Sequence, residues 1–212
     1  MDTFVVRVWL PDRPGALGQV ASRIGAVHGD VVGIEILERG GGSAIDDLTV
    51  ALPDASLVDL LVAEIRQVDG VAVEDVRRVA ADRPDGGMAA LATAAAIVGA
   101  TPDERMGTVC RQLRTLLDAD WAVVLSNADA VAIAQCGEPP DIEWLRAFLM
   151  GSEHLDDGSE DNGDHEHTPG DLVWTRMPRL GAALACGRAG RVFHARERDE
   201  FRVLGTIVES LG

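Results

Sequence analysis

The sequence predicts a mixed α+β protein with two domains. In residues 1–79 the apolar periodicity gives the order strand, helix, strand, strand, helix, strand. In residues 101–212 it gives a helix, two strands, a helix, a long polar loop, two strands and a closing helix. Residues 80–100 between them have the composition of a polar linker followed by a connecting helix. We therefore expect two small domains, each with its own core.

Each element of the first domain has its own signal. Apolar residues alternate with others from Phe4 to Leu10, as in a half-buried strand, and return with a helical period after the turn at residues 11–15. Three glycines at 40–42 separate two apolar runs, the second from Leu48, which predicts a hairpin. Ser56 is the predicted N-cap of a second helix, and a last strand follows it.

The second domain opens with a clear helix start. Thr101, Pro102 and Glu104 fit the N-cap, N1 and N3 positions of a capping box. Residues 153–168 are rich in carboxylates and poor in apolar side chains, so we expect a flexible acidic loop there. The remaining elements are strands near 121–125, 131–135, 172–176 and 182–187, a helix from Ile142 and a closing helix with Phe201.

The charge balance disfavours several partners and reactions. The formal net charge is -16, so the phosphates of nucleic acids and anionic membranes would be repelled. All 19 basic residues are arginine, which excludes a Schiff-base lysine and a phosphate-loop lysine. The longest apolar stretch, Met88–Ala100, is too short to cross a bilayer, and no basic signal-peptide region precedes Phe4. We expect a cytoplasmic protein with no enzymatic activity and no cofactor.

Two further sets of residues favour structural interpretations. His154, His165 and His167 lie among carboxylates, but mobile acidic loops commonly contain such residues, so we predict no metal site. The cysteines are odd in number and widely spaced, which favours reduced core thiols over disulfides or zinc ligands. They are Cys110, Cys136 and Cys186.

The turn after the first strand carries the most informative motif. It reads Asp12-Arg13-Pro14-Gly15-Ala16-Leu17, and the pattern D-x-P-G-x-L between a first strand and a first helix resembles an ACT domain, the ligand-binding module of amino-acid metabolism. The resemblance covers about residues 3–79. It implies a ferredoxin-like βαββαβ fold and a homodimer with an amino acid bound at the interface. By the same resemblance, Gly33, Ile34 and Glu35 supply the facing wall of the site.

The residue types of this turn suit a small zwitterion. Gly15 lets the backbone approach a ligand without a Cβ in the way. The amides that follow open a helix, where N–H groups and the helix dipole attract a carboxylate. Asp12 can pair with an ammonium group. The alternative is structural: Pro14 and Gly15 form an ordinary turn, and Asp12 caps the helix.

The second domain resembles a compact GAF-like α/β sandwich over about residues 101–211. The similarity rests on the first helix-to-strand junction, Leu113–Trp121, on the strand Gly181–Ala185, and on Phe193–Phe201 before the closing helix. No bilin cysteine and no cyclic-nucleotide signature is present, so we expect a dimerisation or signal-relay module. Its aromatic residues either line a pocket or pack in the core and lid, which is the commoner role. They are Trp121, Trp144, Trp174 and Phe148.

Three functions follow from these patterns. The favoured hypothesis is a regulatory sensor, in which a small amino acid binds between paired ACT domains and shifts the arrangement that the GAF-like half relays. The alternative is an interaction or dimerisation protein that binds no metabolite. An enzyme that uses the acidic, histidine-bearing loop is the least favoured. The sequence identifies neither the amino acid nor a downstream protein partner.

Overall fold

A computed structural model gives the fold and describes residues 1–129, 131–156 and 170–212. The chain forms two compact units, Met1–Gly86 with His194–Arg196 and Gly87–Phe193 with Glu197–Gly212. Each unit contains a four-stranded antiparallel sheet, which confirms the predicted α+β class. The strands are β1 (Asp2–Pro11), β2 (Asp30–Gly40), β3 (Ser43–Leu52), β4 (Ala72–Val79), β5 (Trp121–Ser126), β6 (Ala132–Cys136), β7 (Leu172–Met177) and β8 (Ala182–Gly187). The helices are α1 (Ala16–Ala26), α2 (Val58–Ile65), α3 (Gly86–Gly99), α4 (Pro102–Leu116), α5 (Ile142–Asp156) and α6 (Ala195–Ser210).

The sheet of the first unit has the strand order β2-β3-β1-β4, with every neighbouring pair antiparallel. With the chain order βαββαβ, this is the ferredoxin-like arrangement that the sequence predicts. The helices α1 and α2 cover one face of the sheet. Because strand side chains alternate between the two faces, every second residue of a strand points towards these helices. The core under the helices includes Phe4, Val6, Val8, Leu10, Leu48, Val50, Leu52, Val20, Ile24, Leu61 and Ile65.

The hairpin between β2 and β3 turns on two glycines. Gly41 and Gly42 have φ angles of 58° and 82°, the positive values that a two-residue hairpin loop of type I′ requires at both positions. The glycine signal therefore predicts the hairpin correctly. The strand after it begins at Ser43, five residues before the Leu48 start expected from the apolar run.

Ser56 does not cap the second helix, so that prediction is wrong. A 3-10 turn over Ala55–Leu57 precedes α2, and Ser56 already lies inside this turn. Asp54 has the extended backbone of an N-cap residue, and its side chain accepts a hydrogen bond from the Ser56 amide at 2.8 Å. Aspartate is as good an N-cap residue as serine, and here it comes first along the chain.

The sheet of the second unit has the strand order β6-β5-β8-β7, again antiparallel throughout. One face packs against α3, α4 and α6, and the other packs against α5. Trp121, Val123 and Leu125 of β5 face α5, whereas Ala122 and Val124 face the other helices. The described part of this unit is thus a sheet between two helical layers. The GAF-like assignment goes beyond this architecture and stays a prediction, as do the domain limits 1–79, 80–100 and 101–212.

The helix α4 begins as predicted, with Thr101 at the N-cap and Pro102 at the first helical position. The Thr101 hydroxyl donates to the Glu104 carboxylate at 2.8 Å, and the Glu104 amide donates to the Thr101 carbonyl oxygen at 3.1 Å. The capping-box residues therefore contact each other, but neither side chain bonds to the other's backbone N–H.

The helix α5 extends into the segment predicted as an acidic loop, residues 153–168. The backbone of α5 continues to Asp156, because residues 153–156 include neither proline nor glycine to end a helix. Residues 157–169 lie outside the described residues, as do the side chains of His154, His165 and His167. The loop beyond Asp156 and the exclusion of a metal site there stay predictions.

Candidate functional site

The turn between β1 and α1 is held by backbone hydrogen bonds. The Asp12 amide donates to the Gly42 carbonyl oxygen at 2.9 Å, and the Arg13 amide donates to that of Pro11 at 2.8 Å. Gly15 then takes φ 89° and ψ −14° as the N-cap residue of α1. A Cβ on Gly15 would meet no atom within 4 Å, so the backbone angle requires glycine and crowding does not. The sharp turn expected at Gly15 is present, with open space beside it.

The first turn of α1 presents amides without acceptors. The Ala16 amide donates to the Arg13 carbonyl oxygen at 3.3 Å, and the Gln19 amide donates to that of Gly15 at 3.0 Å. For the amides of Leu17 and Gly18, the described part of the chain provides no acceptor. The first turn contains no acidic residue and no capping side chain, so nothing in the helix offsets its positive dipole end. This geometry suits an anion such as a carboxylate.

Asp12 lies beside this turn but does not cap α1. Its carboxylate accepts a hydrogen bond from the Arg39 guanidinium at 2.9 Å. The Arg39 and Asp12 side chains are 61% and 36% exposed, so solvent screens this ion pair and it adds little stability. The alternative in which Asp12 caps the helix is wrong, because Gly15 holds the N-cap position three residues later.

The other predicted residues, Gly33–Glu35, lie on the edge strand β2. Glu35 pairs with Asp47 of β3, and Asp47 pairs with Arg7 of β1. The turn begins only after Pro11, four residues beyond Arg7. Four residues along the strands and two strand spacings across the sheet separate Glu35 from Pro11, which is about 17 Å. The two predicted parts of the site therefore do not meet within one chain.

The structure adds a residue to this region, Asp46 on β3. It is 3% exposed and lies on the helix-facing side of the sheet, between the core residues Ala44 and Leu48. Its Oδ1 atom has no hydrogen-bond partner among the described residues. A buried polar atom without a partner costs stability, so Asp46 is unfavourable in the free chain.

The charges around Asp46 are mixed. Burial raises the pKa of its carboxyl, the nearby Arg39 guanidinium opposes this rise, and the carboxylates of Asp12 and Asp47 add to it. Asp46 therefore lies within electrostatic reach of the ion pair beside the turn. No side chain of that pair hydrogen-bonds to it.

A sequence signal for Asp46 exists but needs the correct start of β3. A carboxylate interrupts the otherwise apolar inward positions of this strand, and beginning the strand near Leu48 hides the interruption. The inward positions are Ala44, Asp46, Leu48, Val50 and Leu52.

The adjacent residue, Asp47, faces the opposite side of the sheet and is fully paired. Its Oδ1 accepts from Arg7 Nε at 2.8 Å, and its Oδ2 accepts from Arg7 Nη2 at 3.0 Å and Arg77 Nη2 at 2.9 Å. Burial alone would raise the pKa of the Asp47 carboxyl, but the hydrogen bonds and charges of Arg7 and Arg77 outweigh it and hold the pKa below the ordinary value. Two consecutive carboxylates thus have opposite environments.

The second unit contains an open cleft with a volume of about 810 Å³. Trp121 and Trp144 both line it, although Trp121 is also part of the core of the sheet. Trp144 is half exposed and stacks on Phe148, with ring centroids 5.6 Å apart. Both roles considered for these aromatic residues therefore occur. The charged lining residues are Arg114, Asp120, Glu138, Asp171 and Arg188.

The cysteines offer no nucleophile in the cores. Cys110 and Cys186 are buried free thiols, and Cys136 is a half-buried free thiol. Burial raises the pKa of Cys110 to about 12 and that of Cys186 well above its ordinary value, so neither forms a thiolate near neutral pH.

In the part of the chain that the structure describes, no three His, Cys, Asp or Glu side chains are grouped to hold a metal ion. None of the described helices is long and apolar enough to cross a membrane.

Comparisons with known proteins bear on the first unit. Residues 4–70 match the family model of the ACT domain. No curated protein matches the sequence.

Three similar solved structures have low sequence identity. The ACT domain of GTP pyrophosphokinase from Chlorobium tepidum is 20% identical, over 37% of this chain and 100% of that chain, with a TM-score of 0.30. A putative glycine cleavage system transcriptional repressor is 12% identical, over 98% and 92%, with a TM-score of 0.32. A formyltetrahydrofolate deformylase from Pseudomonas putida is 14% identical, over 98% and 94%, with a TM-score of 0.34. Similarities this low carry no argument about function. Residues 4–70 therefore match the ACT domain family model, and they lie within the βαββαβ order that runs from β1 to β4.

Proposed function

We propose that this chain is a regulatory protein whose ACT domain binds a small amino acid. The observation that carries the proposal is the start of α1. There, Gly15 in the left-handed region leads into the amides of Leu17 and Gly18, which lack an acceptor among the described residues. A helix start of this kind attracts a carboxylate, and every amino acid has one.

A second copy of the chain completes the proposed site. Glu35 lies about 17 Å from Pro11 at the start of the turn of its own chain, and Gly33 and Ile34 lie further away, so they can form its facing wall only from a partner. The edge strand β2 offers a surface for that partner, because among the described strands it pairs with β3 alone, and its other edge can accept another strand. Val32, Ile34 and Ile36 on β2 are 43–57% exposed.

The second unit is the proposed relay. Interpreted as GAF-like, it transmits the ligand state of the ACT domain to a protein partner without catalysing a reaction. This part of the proposal is supported by the sequence resemblance over residues 101–211. A cytoplasmic location likewise stays a prediction from the sequence.

Assembly without a metabolite is the second candidate function. The exposed apolar residues Val32, Ile34 and Ile36 beside an open strand edge favour it, since they suffice to join two copies. In that case the free amides of α1 have no part in binding, and changes there leave the dimer intact.

Substitutions of Gly18 test the carboxylate site. Gly18 is exposed in the first turn of α1, and a Cβ there meets no atom within 4 Å. Replacing a glycine within a helix stabilises it by about 1 kcal/mol, so Gly18→Glu and Gly18→Gln should both raise the melting temperature. Only Gly18→Glu places a carboxylate at the helix start, where it competes for the free amides. Gly18→Gln is the uncharged control of matched size.

The assay adds each of the twenty amino acids to wild type and to both variants and records the melting temperature. An amino acid at 100 times its Kd stabilises the folded state by about 2.7 kcal/mol. We expect at least one amino acid to stabilise wild type and Gly18→Gln but not Gly18→Glu. If no amino acid stabilises wild type while ultracentrifugation shows a dimer, assembly replaces sensing as the function. If the amino acid stabilised both variants equally, its carboxylate would not be bound at the start of α1.

A further inference from the structure

Asp46 occupies a position from which it can contact a ligand at the start of α1. It is 3% exposed, it lies on the face of β3 that packs under the helices, and its Oδ1 has no partner in the described residues. The preceding inward residue, Ala44, belongs to the same core cluster as Ala16, the first residue of α1. Pro11, the last residue of β1 before the turn, pairs with Ser43, and Asp46 lies three residues further along β3, within electrostatic reach of Asp12 in the turn.

We propose that Asp46 binds the ammonium group of the amino acid whose carboxylate is held by the amides of Leu17 and Gly18. This inference rests on the proposed function and adds the residue that recognises the cationic end. It also restricts the ligand to a zwitterion or another molecule with both charges, since a plain carboxylic acid would leave Asp46 unpaired.

The dimensions agree with a small ligand. An amino acid spans about 8 Å from the acceptor of its ammonium to the donor to its carboxylate, which is two hydrogen bonds plus the three backbone atoms between them. The step between consecutive inward residues of a strand is about 7 Å, so Asp46 is about that far along β3 from Ala44, which pairs with Leu10 near the end of β1. One α-amino acid is therefore long enough to extend from Asp46 to the end of β1, where the turn to α1 begins.

Asp12, the alternative ammonium partner, is less suited to the role. Its carboxylate is already paired with Arg39 at 2.9 Å and is substantially exposed. A ligand cation gains more from a buried, unpaired carboxylate than from an exposed one that water and Arg39 already satisfy. The Asp12–Arg39 pair is weak for the same reason, so opening it to admit a ligand costs about 1 kcal/mol or less.

If Asp46 serves to bind a ligand, its buried carboxylate should lower the stability of the protein without ligand. Asparagine at this position has nearly the same shape and removes the buried charge. Asp46→Asn should therefore melt at a higher temperature than wild type without ligand and yet bind the amino acid worse. A purely structural carboxylate would show loss of stability instead.

The experiment titrates wild type, Asp46→Asn, Asp12→Asn and Gly190→Ala with each of the twenty amino acids by calorimetry, after the melting temperature of each protein has been recorded. Gly190 is remote in the chain, with open space at its Cβ, and controls for substitution as such. We expect Asp46→Asn to weaken binding of the active amino acid about 10- to 100-fold, the loss of a charge-assisted hydrogen bond. A 2-hydroxy acid with the same side chain, which lacks the ammonium, should bind wild type and Asp46→Asn equally weakly.

Each outcome decides a separate point. If wild type binds an amino acid and Asp46→Asn binds it equally well, the role of Asp46 is overturned and the sensor function stands. If only Asp12→Asn loses affinity, the ammonium is held by Asp12 and the inference is again overturned. If wild type binds none of the twenty, the proposed function fails, and this inference fails with it. Weak binding by an Asp46→Asn protein that melts below wild type would indicate a structural role, which also contradicts the proposal.

Discussion

Arg7→Met removes a guanidinium that is 1% exposed and supplies two of the hydrogen bonds that Asp47 accepts. The third comes from Arg77, whose side chain is 16% exposed and also contacts Asp75 at 3.1 Å. Hydrogen bonds to charged groups contribute about 1.5–3 kcal/mol each, and part of the loss is recovered by burying the methionine. We therefore expect Arg7→Met to lower the free energy of unfolding by about 3–5 kcal/mol, the range for breaking a buried pair.

The order of variants around Asp47 is a stricter test than any single value. Arg77→Met removes one bond to Asp47 at a more exposed position and should cost about 1–2 kcal/mol. The double variant Arg7→Met/Asp47→Leu leaves neither of these charges buried and should recover most of the loss. Urea unfolding followed by circular dichroism measures all four proteins, with a constant m-value required for the comparison. A cost below 1 kcal/mol for Arg7→Met, or a double variant no more stable than Arg7→Met, would refute the reasoning.

The pH dependence separates Asp47 from Asp46. The folded chain lowers the pKa of Asp47 below its ordinary value of 3.8, so its stabilisation is present above that value and is lost as the pH falls through the lowered pKa. The folded chain raises the pKa of Asp46, so stability falls as the pH rises from 3.8 through the raised pKa. Relative to wild type, Asp47→Asn should therefore lose stability and Asp46→Asn gain it near neutral pH, and both differences should shrink below pH 3.8. Parallel curves for the two variants would contradict these assignments.

Two further predictions concern the second unit. At pH 7 a disulfide reagent should label Cys136 in the native protein, because this thiol is half-buried and its sulfur lies 3.9 Å from an Arg114 nitrogen. The reagent should react with Cys110 and Cys186 only after unfolding, because burial raises the pKa values of both thiols. Labelling of all three thiols in the native state would contradict this. Gly137→Ala should destabilise the chain by about 2 kcal/mol or more, because the alanine would adopt φ 80° and its Cβ would clash with the Asp120 carbonyl oxygen. Gly190→Ala, with φ 71° and open space at its Cβ, should cost about 1 kcal/mol. Equal melting temperatures for the two glycine variants would show that the Asp120 contact relaxes freely.

The elements of the first unit could be predicted because local signals and tertiary packing agree there. The alternation from Phe4 to Leu10 and the glycines at Gly41 and Gly42 each have one structural solution. The Ser56 cap failed for a local reason, since Asp54 competes for the same role and sequence preference ranks the two equally. The site was only partly predictable, because Gly15 sets its own backbone angle but the neighbours of Asp46 depend on strand register.

Asp46 and Asp47 show what register adds to composition. In the sequence they are two adjacent carboxylates in one strand, and their neighbours along the chain do not indicate which of them is paired. A strand turns consecutive side chains to opposite faces, so one of the pair must face the helices. The face with Arg7 and Arg77 neutralises Asp47, whereas Ala44 and Leu48, the inward neighbours of Asp46 on β3, are apolar. The amides of Leu17 and Gly18 at the start of α1 have no acceptor among the described residues. An ionised Asp46 and those amides are separated charges of opposite sign that the chain alone does not join. A zwitterion of matching length satisfies both at once, so the two unsatisfied features are better explained together than apart.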